Sequence, residues 1–127
     1  MNKTIFTTAC VLGLLAVLLG AFGAHGLQKL VDTKSVTSFE TGVRYQMYHA
    51  FLLFVLGLIP NVSLRAKRIV FYLVLSGLVL FSFSIYILAI NSLFDFDFKA
   101  IAFITPVGGA LLIAAWGILG FQIYKTK

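Results

Sequence analysis

The sequence predicts an all-α membrane protein whose four transmembrane helices form a compact bundle, in a single domain that covers residues 1–127. Composition is the first observation behind this fold class. Hydrophobic residues make up 61% of the chain and charged residues only 11%, with a mean hydropathy of +1.03. A soluble domain of this length cannot bury so much apolar surface. The second observation is that the charged residues are confined to short segments that separate long uncharged stretches.

Four uncharged stretches are each long enough to cross a bilayer. They hold roughly 20 or more residues each, and a helix of that length spans a hydrocarbon core of about 30 Å. Because the bilayer core offers no water to the backbone, each span must satisfy its own hydrogen bonds, which a helix does. The predicted spans cover approximately residues 5–24, 45–59, 69–92 and 100–124, with a turn at Pro60 and Asn61.

Basic residues are distributed unequally between the two sides of the predicted membrane. Six of the ten lie on the side that holds both termini, and four lie on the other side. Lys and Arg are enriched in cytoplasmic loops, so this bias predicts that both termini are cytoplasmic. The inner set is Lys3, Arg65, Lys67, Arg68, Lys125 and Lys127, and the outer set is Lys29, Lys34, Arg44 and Lys99.

A short amphipathic helix is predicted at the outer surface, running into the second span. Thr37 and Glu40 have the spacing of a capping box, and Glu40 and Arg44 are four residues apart, which allows an ion pair. The apolar residues that repeat at helical spacing are Val36, Phe39, Val43 and Met47.

Small and weakly polar residues form lines along three spans, a pattern that is typical of close helix packing in lipid. The first span carries a heptad line, and the third carries small and polar residues seven apart. The residues in question are Ala9, Gly13, Ala16, Gly20 and Gly23 in the first span, Gly77, Ser84 and Asn91 in the third, and Ala110, Ala114 and Gly117 in the fourth.

The outer half of the fourth span contains Pro106, Gly108 and Gly109. Proline removes a helix hydrogen bond and glycine lowers the cost of bending, so this stretch predicts a kink near the outer leaflet.

Polar side chains from the spans are predicted to meet at the outer leaflet. The residues of this predicted cluster are His25, Arg44, Tyr45, Gln46, His49 and Asn91, with Asp95 and Asp97 at the same level. Three interpretations stay open at this point. The side chains anchor the helix ends to loops and headgroups, or they bind a lipid headgroup, a quinone or a partner subunit, or the two histidines ligate haem or a metal.

Catalytic and cofactor patterns are absent from the sequence. It contains no HExxH, CxxC or GxSxG motif and no phosphate-binding glycine loop after a strand. We therefore expect no catalytic residues, no cofactor, no metal and no enzyme activity. The net charge of +6 does not indicate nucleic-acid binding, because the basic residues flank spans and form no soluble basic face.

Four stretches carry a resemblance to a known family, one in each predicted span. They are GAFGAHGL (20–27), RYQMYHAF (44–51), LFSFSIY (80–86) and ITPVGGALLIAAW (104–116). On these the chain resembles the family called domain of unknown function 423, which includes bacterial inner-membrane proteins and transmembrane protein 256. The resemblance implies an inner-membrane protein of four helices with no assigned activity or catalytic residues.

Two positions depart from the family's usual pattern. Phe83 and Ala115 stand where the family usually has glycine, so close contacts of the third and fourth spans are expected to differ here. From the small-residue lines we expect a non-enzymatic interaction or accessory subunit, in a homo-oligomer or a larger membrane complex. The alternative is a lipid- or quinone-binding protein that uses the polar cluster.

Overall fold

The computed structural model describes residues 2–94 and 99–126, and every regular element in that part of the chain is helical. Asp95 and Asp97 lie outside the described residues. The principal helices are α1 (Asn2–His25), α2 (Thr33–Leu58), α3 (Leu64–Leu78), α4 (Ser84–Ala89) and α5 (Ile104–Lys125). A π-helical turn, Val79–Phe83, joins α3 to α4 without a break, and short 3-10 turns cover Leu27–Lys29, Asn91–Leu93 and Lys99–Phe103.

Three helical segments are long and apolar enough to cross a membrane. They are Asn2–Lys29, Leu64–Ala89 and Ala100–Lys125. They contain the first and fourth predicted spans and all but the last three residues of the third. The all-helical prediction is thus confirmed for the described residues. α2 does not belong to this set. Its first half carries Lys34, Glu40 and Arg44, and its uncharged part covers only residues 45–58.

α1, α2, the continuous segment from α3 to α4, and α5 alternate in direction. Added Cβ atoms on α1 would meet α2 in reverse order: Gly23 lies against Phe39, and Gly20 lies against Val43. The same reversal relates α3 and α5, since Gly77 packs on Leu112 while Ser84 bonds Thr105. The start of α1 and the end of α5 therefore lie at one end of the bundle with the turn between α2 and α3, where the Thr126 hydroxyl donates to the Asn61 carbonyl.

The helices are arranged as a row more than as a closed ring. α1 packs along α2, α2 packs on α3 and α4, and α5 packs on α3 and the π turn. In the described part of the chain, α1 and α5 make no comparable contact with each other. The main core lies between these layers and contains Ile5, Ala9, Leu12, Leu53, Leu56, Val70, Val74, Leu78, Leu112, Ala115 and Leu119.

α2 begins earlier than the sequence predicts. Its N-cap is Asp32, whose carboxylate accepts a 2.8 Å hydrogen bond from the Ser35 backbone N–H. The predicted capping box at Thr37 and Glu40 is therefore wrong, since Thr37 already lies in the second turn and its hydroxyl donates to the Thr33 carbonyl. The amphipathic segment and the second predicted span form one continuous helix. Arg44 donates to the Thr41 hydroxyl, 3.1 Å away.

The turn between α2 and α3 has the chemistry that the sequence predicts. Asn61 adopts a left-handed backbone conformation with a φ of 64°, which asparagine tolerates better than most residues. Lys67 is buried beside this turn, and its ammonium donates to the Gly57 carbonyl in the last turn of α2, 3.5 Å away. A cation at this position compensates the partial negative charge of a helix C-terminus.

The closest helix contact lies between α5 and the π turn. A Cβ on Gly108 would come within 2.4 Å of the Phe81 backbone nitrogen, so only glycine allows this approach. Pro106 falls in the first turn of α5, where its missing N–H costs no helix hydrogen bond. The structure thus places Pro106 at the start of α5 and Gly108 at a close contact between helices.

Small residues of the predicted lines divide between inward and outward faces. Ala9, Ala16 and Gly23 are buried against α2, and Gly77 is buried against α5. Gly13 has no atom within 4 Å of an added Cβ. The line of α5 faces outward along its whole length, because Ala110, Ala114 and Gly117 are exposed.

Candidate functional site

A central polar network links three helices inside the bundle. Gln46 is 0% exposed, and its amide N–H donates to the Leu12 carbonyl of α1 at 2.8 Å. The Tyr86 hydroxyl of α4 donates to the amide oxygen of Gln46 at 2.7 Å. The Ser82 hydroxyl in the π turn donates to the Gly42 carbonyl at 2.9 Å. We call Leu12, Gly42, Gln46, Ser82 and Tyr86 the central polar network.

Ser84 connects the π turn to the start of α5. Its hydroxyl donates back to the carbonyls of Leu80 and Phe81, and it also shares a hydrogen bond with the Thr105 hydroxyl. A π turn leaves carbonyls without the usual helical partner, and a serine side chain can satisfy them. The polar residues of this segment therefore complete the hydrogen bonding of an irregular helix.

His49 is held by two hydrogen bonds of opposite kind. Its Nδ1 lies 2.6 Å from the Tyr45 carbonyl oxygen, and its Nε2 lies 3.0 Å from the indole nitrogen of Trp116. A carbonyl only accepts and an indole N–H only donates. The partners therefore assign the tautomer with the proton on Nδ1, which donates to Tyr45 while Nε2 accepts from Trp116.

An open recess lies beside His49, between α2, the π turn and α5. Its volume is about 280 Å³. The Tyr45 and Phe81 rings pack with centroids 4.9 Å apart, and the rings of His49 and Trp116 meet edge to face at 6.0 Å. We call this space the aromatic recess, lined by Tyr45, His49, Phe81, Gly109, Leu112, Ile113 and Trp116.

Both features lie at the middle of the bundle, not at its outer end. Gln46 bonds to Leu12 halfway along α1, and Trp116 lies near the middle of α5. The sequence places Tyr45 at the start of a span, but α2 begins twelve residues earlier at Thr33, so the same side chains lie deeper. The structure thus brings Tyr45, Gln46 and His49 together on α2 at mid-depth.

The other members of the predicted cluster lie elsewhere. His25 is exposed on the last turn of α1, thirteen residues beyond Leu12, which amounts to about 20 Å along the helix axis. Arg44 is exposed and bonds Thr41. Asn91 lies in the 3-10 turn after α4 and is half-buried.

Three residues of the site lie outside the predicted cluster, namely Ser82, Tyr86 and Trp116. Two of them carry a signal in the sequence: Trp116 is the single tryptophan, and Tyr86 is a phenol in the interior of a predicted span. Buried Tyr and Trp normally find a hydrogen-bond partner, so each implied a polar group opposite it.

The buried polar side chains that the structure describes form hydrogen bonds with other groups of the protein. Among the described residues, no buried side-chain nitrogen or oxygen lacks a hydrogen-bond partner. The same part of the chain contains no group of three or more His, Cys, Asp or Glu side chains placed to hold a metal. The arrangement therefore provides packing and hydrogen bonding, with one aromatic opening to the outside.

A second recess, of about 390 Å³, lies at the end of the bundle where α1 ends. It is larger than the aromatic recess, and Ser35, Ser38 and Thr105 are its uncharged polar residues. Two of them are engaged within the chain, since Ser35 bonds Asp32 and Thr105 bonds Ser84. Lys34 is its charged residue and is exposed at the surface. We therefore take the aromatic recess as the candidate site.

Comparison with known proteins gives consistent matches. A family model described as "Protein of unknown function (DUF423)" matches residues 19–109. The chain is 32% identical over 127 residues to a UPF0382 membrane protein of Haemophilus influenzae, which covers 100% of this chain and 98% of that protein.

Two further relatives extend the comparison. The UPF0382 membrane protein YwdK of Bacillus subtilis is 37% identical, with 90% of each chain covered. The UPF0382 inner membrane protein YgdD of Escherichia coli is 38% identical, over 94% of this chain and 88% of that protein. No solved structure matches the chain significantly.

Proposed function

The chain belongs to the DUF423 family of membrane proteins of unknown function, and from that membership we propose a specific role. We propose that it is a four-span, non-enzymatic protein of the bacterial inner membrane that acts as an accessory or oligomerising subunit. Both termini are cytoplasmic in this proposal.

The fourth span of this proposal is the second half of α2. Residues 45–58 contain no Asp, Glu, Lys or Arg. The contacts of α2 with α1 extend from Phe39 beside Gly23 to Gly57 beside Phe6, so α2 runs along most of a helix that is long enough to cross the membrane. A helix packed along that length shares its depth.

The orientation rests on the positive charges. Six of the ten basic residues lie, along the sequence, near the two termini or near the start of α3. A reporter enzyme fused after Lys127 should be active in the cytoplasm, and one fused in the loop before Thr33 should be active in the periplasm. The reverse pattern would overturn the orientation.

The outward face of α5 is the observation that carries the proposed role. Ala110, Ala114 and Gly117 are exposed, and an added Cβ at Gly117 would meet nothing within 4 Å. In lipid, small residues let a second helix approach closely, and this close packing drives association. An outward line of small residues therefore supports contact with another helix, from a second copy or another subunit.

Native mass measurement in mild detergent tests this role. We expect a dimer or larger assembly, or a co-purifying membrane partner, which is weakened by Gly117→Phe. Leu14→Phe is the matched control, because Leu14 is 62% exposed on α1, away from this line. A strictly monomeric wild-type protein without a partner would overturn the role.

A second candidate function is the binding of a membrane lipid or quinone. The aromatic recess favours it, since ligand pockets are concave and mostly apolar with a few convergent polar groups. Mass spectrometry of co-purified lipids, compared between wild type and His49→Ala, tests this function. The same lipid profile in both proteins would count against it.

A further inference from the structure

We propose that the aromatic recess binds the headgroup of a quinone, as a neutral planar ring that carries a carbonyl oxygen. This inference rests on the second candidate function and names the class of its ligand. The charge of the lining residues indicates a neutral ligand. None of the seven residues that line the recess is Asp, Glu, Lys or Arg. A charged group near the middle of a bilayer is costly without a partner, so the recess suits a neutral ligand.

The lining and the volume of the recess suit a planar ring. Besides the His49 imidazole, three aromatic side chains line the recess, namely Tyr45, Phe81 and Trp116. Aromatic groups prefer offset or edge contacts with other rings at centroid separations of about 4.5–7 Å. A volume of about 280 Å³ accommodates one substituted ring, while an attached hydrocarbon chain can extend into the bilayer through the open side.

The Tyr45 hydroxyl can donate a hydrogen bond to a ligand in the recess. The Tyr45 side chain is 39% exposed, and its hydroxyl forms no hydrogen bond with any other described residue. At mid-depth in a bilayer, water does not satisfy such a donor, and leaving it unpaired is unfavourable. A ligand carbonyl would accept this hydrogen bond. Saturated acyl chains offer no acceptor at this depth, so the unpaired donor favours a quinone over an ordinary lipid tail.

His49 acts in this proposal as a positioning residue. Its Nε2 accepts from the Trp116 indole, while its Nδ1–H is tied to the Tyr45 carbonyl. The imidazole therefore connects the backbone that carries Tyr45 to the half-exposed Trp116 ring on the opposite wall. It fixes the distance between the two walls without being available to the ligand itself.

The chain contains a built-in reporter for the test. Trp116 is its single tryptophan and lines the recess, so quenching of its fluorescence reports a quinone bound there. The probe is a short-chain alkyl benzoquinone, titrated into the purified full-length protein in mild detergent. We expect saturable quenching on top of the linear, non-specific quenching that detergent-dissolved quinone causes.

Gly109→Val fills the recess. A Cβ at Gly109 would stand 3.5 Å from Phe81, an ordinary contact, and the remaining methyl groups would occupy ligand space. The matched control is Gly13→Val, since an added Cβ there meets nothing within 4 Å. We expect the saturable component to disappear in Gly109→Val and to persist in Gly13→Val. A purely linear response in wild type, or an unchanged saturable component in Gly109→Val, would overturn the proposal.

Tyr45→Phe provides a second variant that keeps the ring contacts. It should raise the apparent dissociation constant about fivefold, the equivalent of one neutral hydrogen bond. An unchanged constant would overturn the role of the Tyr45 hydroxyl.

Analysis of the co-purified lipids distinguishes the quinone proposal from the second candidate function. If Gly109→Val changes the co-purified lipids while wild type shows no saturable quenching, the recess holds a lipid and the quinone proposal is wrong. If neither readout changes, the second candidate function fails as well.

Discussion

The central polar network and the aromatic recess are adjacent parts of the bundle that differ in how their polar groups are buried and hydrogen-bonded. Gln46 in the network is completely buried, and both ends of its amide are bonded to other helices. In the recess, Trp116 is 51% exposed and Tyr45 has a hydroxyl without a protein partner among the described residues. The network closes on itself and holds helices together. The recess leaves bonding capacity open at the surface of the bundle.

One segment of backbone supports both regions. The π turn directs Ser82 toward Gly42 in the network and Phe81 toward Tyr45 in the recess. An ordinary α-helix would advance these neighbouring side chains by a fixed angle, and the wider turn changes that relation. Mutations can therefore be chosen to damage both regions, only the network, or only the recess.

Gly108→Val should break both regions and have the largest effect. Its Cβ would overlap the backbone of Leu80 and Phe81 at 2.6 and 2.4 Å, and backbone cannot move aside like a flexible side chain. We expect a loss of about 3 kcal/mol or more of unfolding free energy, at the upper end for overpacking. Thermal unfolding in detergent measures it. Gly109→Ala is the control on the neighbouring residue, and equal stability of the two variants would contradict the prediction.

Gln46→Leu should break the network alone. The Tyr86 hydroxyl would lose its acceptor in a buried site, which costs about 1–3 kcal/mol. Adding Tyr86→Phe removes the orphaned hydroxyl, so the double variant should be more stable than Gln46→Leu. The same unfolding assay measures this coupling. Additive losses in the double variant would show that the two side chains act independently.

His49→Ala should alter the recess and leave the network intact. The Trp116 indole loses its acceptor, and one hydrogen bond contributes about 1 kcal/mol to stability. The emission of the single tryptophan should shift, because its hydrogen bond and its ring neighbour both change. His49→Gln can retain an acceptor and serves as the control. An unchanged emission spectrum in His49→Ala would show that Trp116 does not depend on His49.

The helical fold could be predicted from composition, whereas the depth of the site could not. Uncharged stretches mark the spans, and proline with asparagine marks the turn at Asn61. α2 starts earlier than the sequence predicts, because Thr37 and Glu40 have the spacing of a capping box while Asp32 provides the actual cap. A later start predicts Gln46 and His49 at the outer leaflet.

The sequence also does not indicate which residues of different helices contact each other. Periodicity indicates which residues share a helix face, but not which helix lies opposite. The bonds from Gln46 to Leu12 and from Trp116 to His49 join residues 34 and 67 positions apart. The π turn is likewise not indicated by periodicity, and the glycine that packs against it, Gly108, comes from another helix.

The smallest expected effect lies outside both regions, at the cap of α2. Donation from the Ser35 hydroxyl and backbone N–H stabilises the Asp32 carboxylate and lowers its pKa below the ordinary value of 3.8. A lowered pKa in the folded state means that this stabilisation is complete above the unfolded value. The stabilisation is lost as the pH falls through the pKa that Asp32 has in the folded state.

Amide hydrogen exchange at Ser35 measures this dependence. Followed from neutral to acidic pH, the Ser35 amide should lose protection only below about pH 4. Asp32→Asn keeps a capping oxygen and should remove this pH dependence. A midpoint at or above the ordinary value would show that the carboxylate gains nothing from the cap. Because the cap is far from Gln46 and His49, Trp116 emission should stay constant over the same pH range.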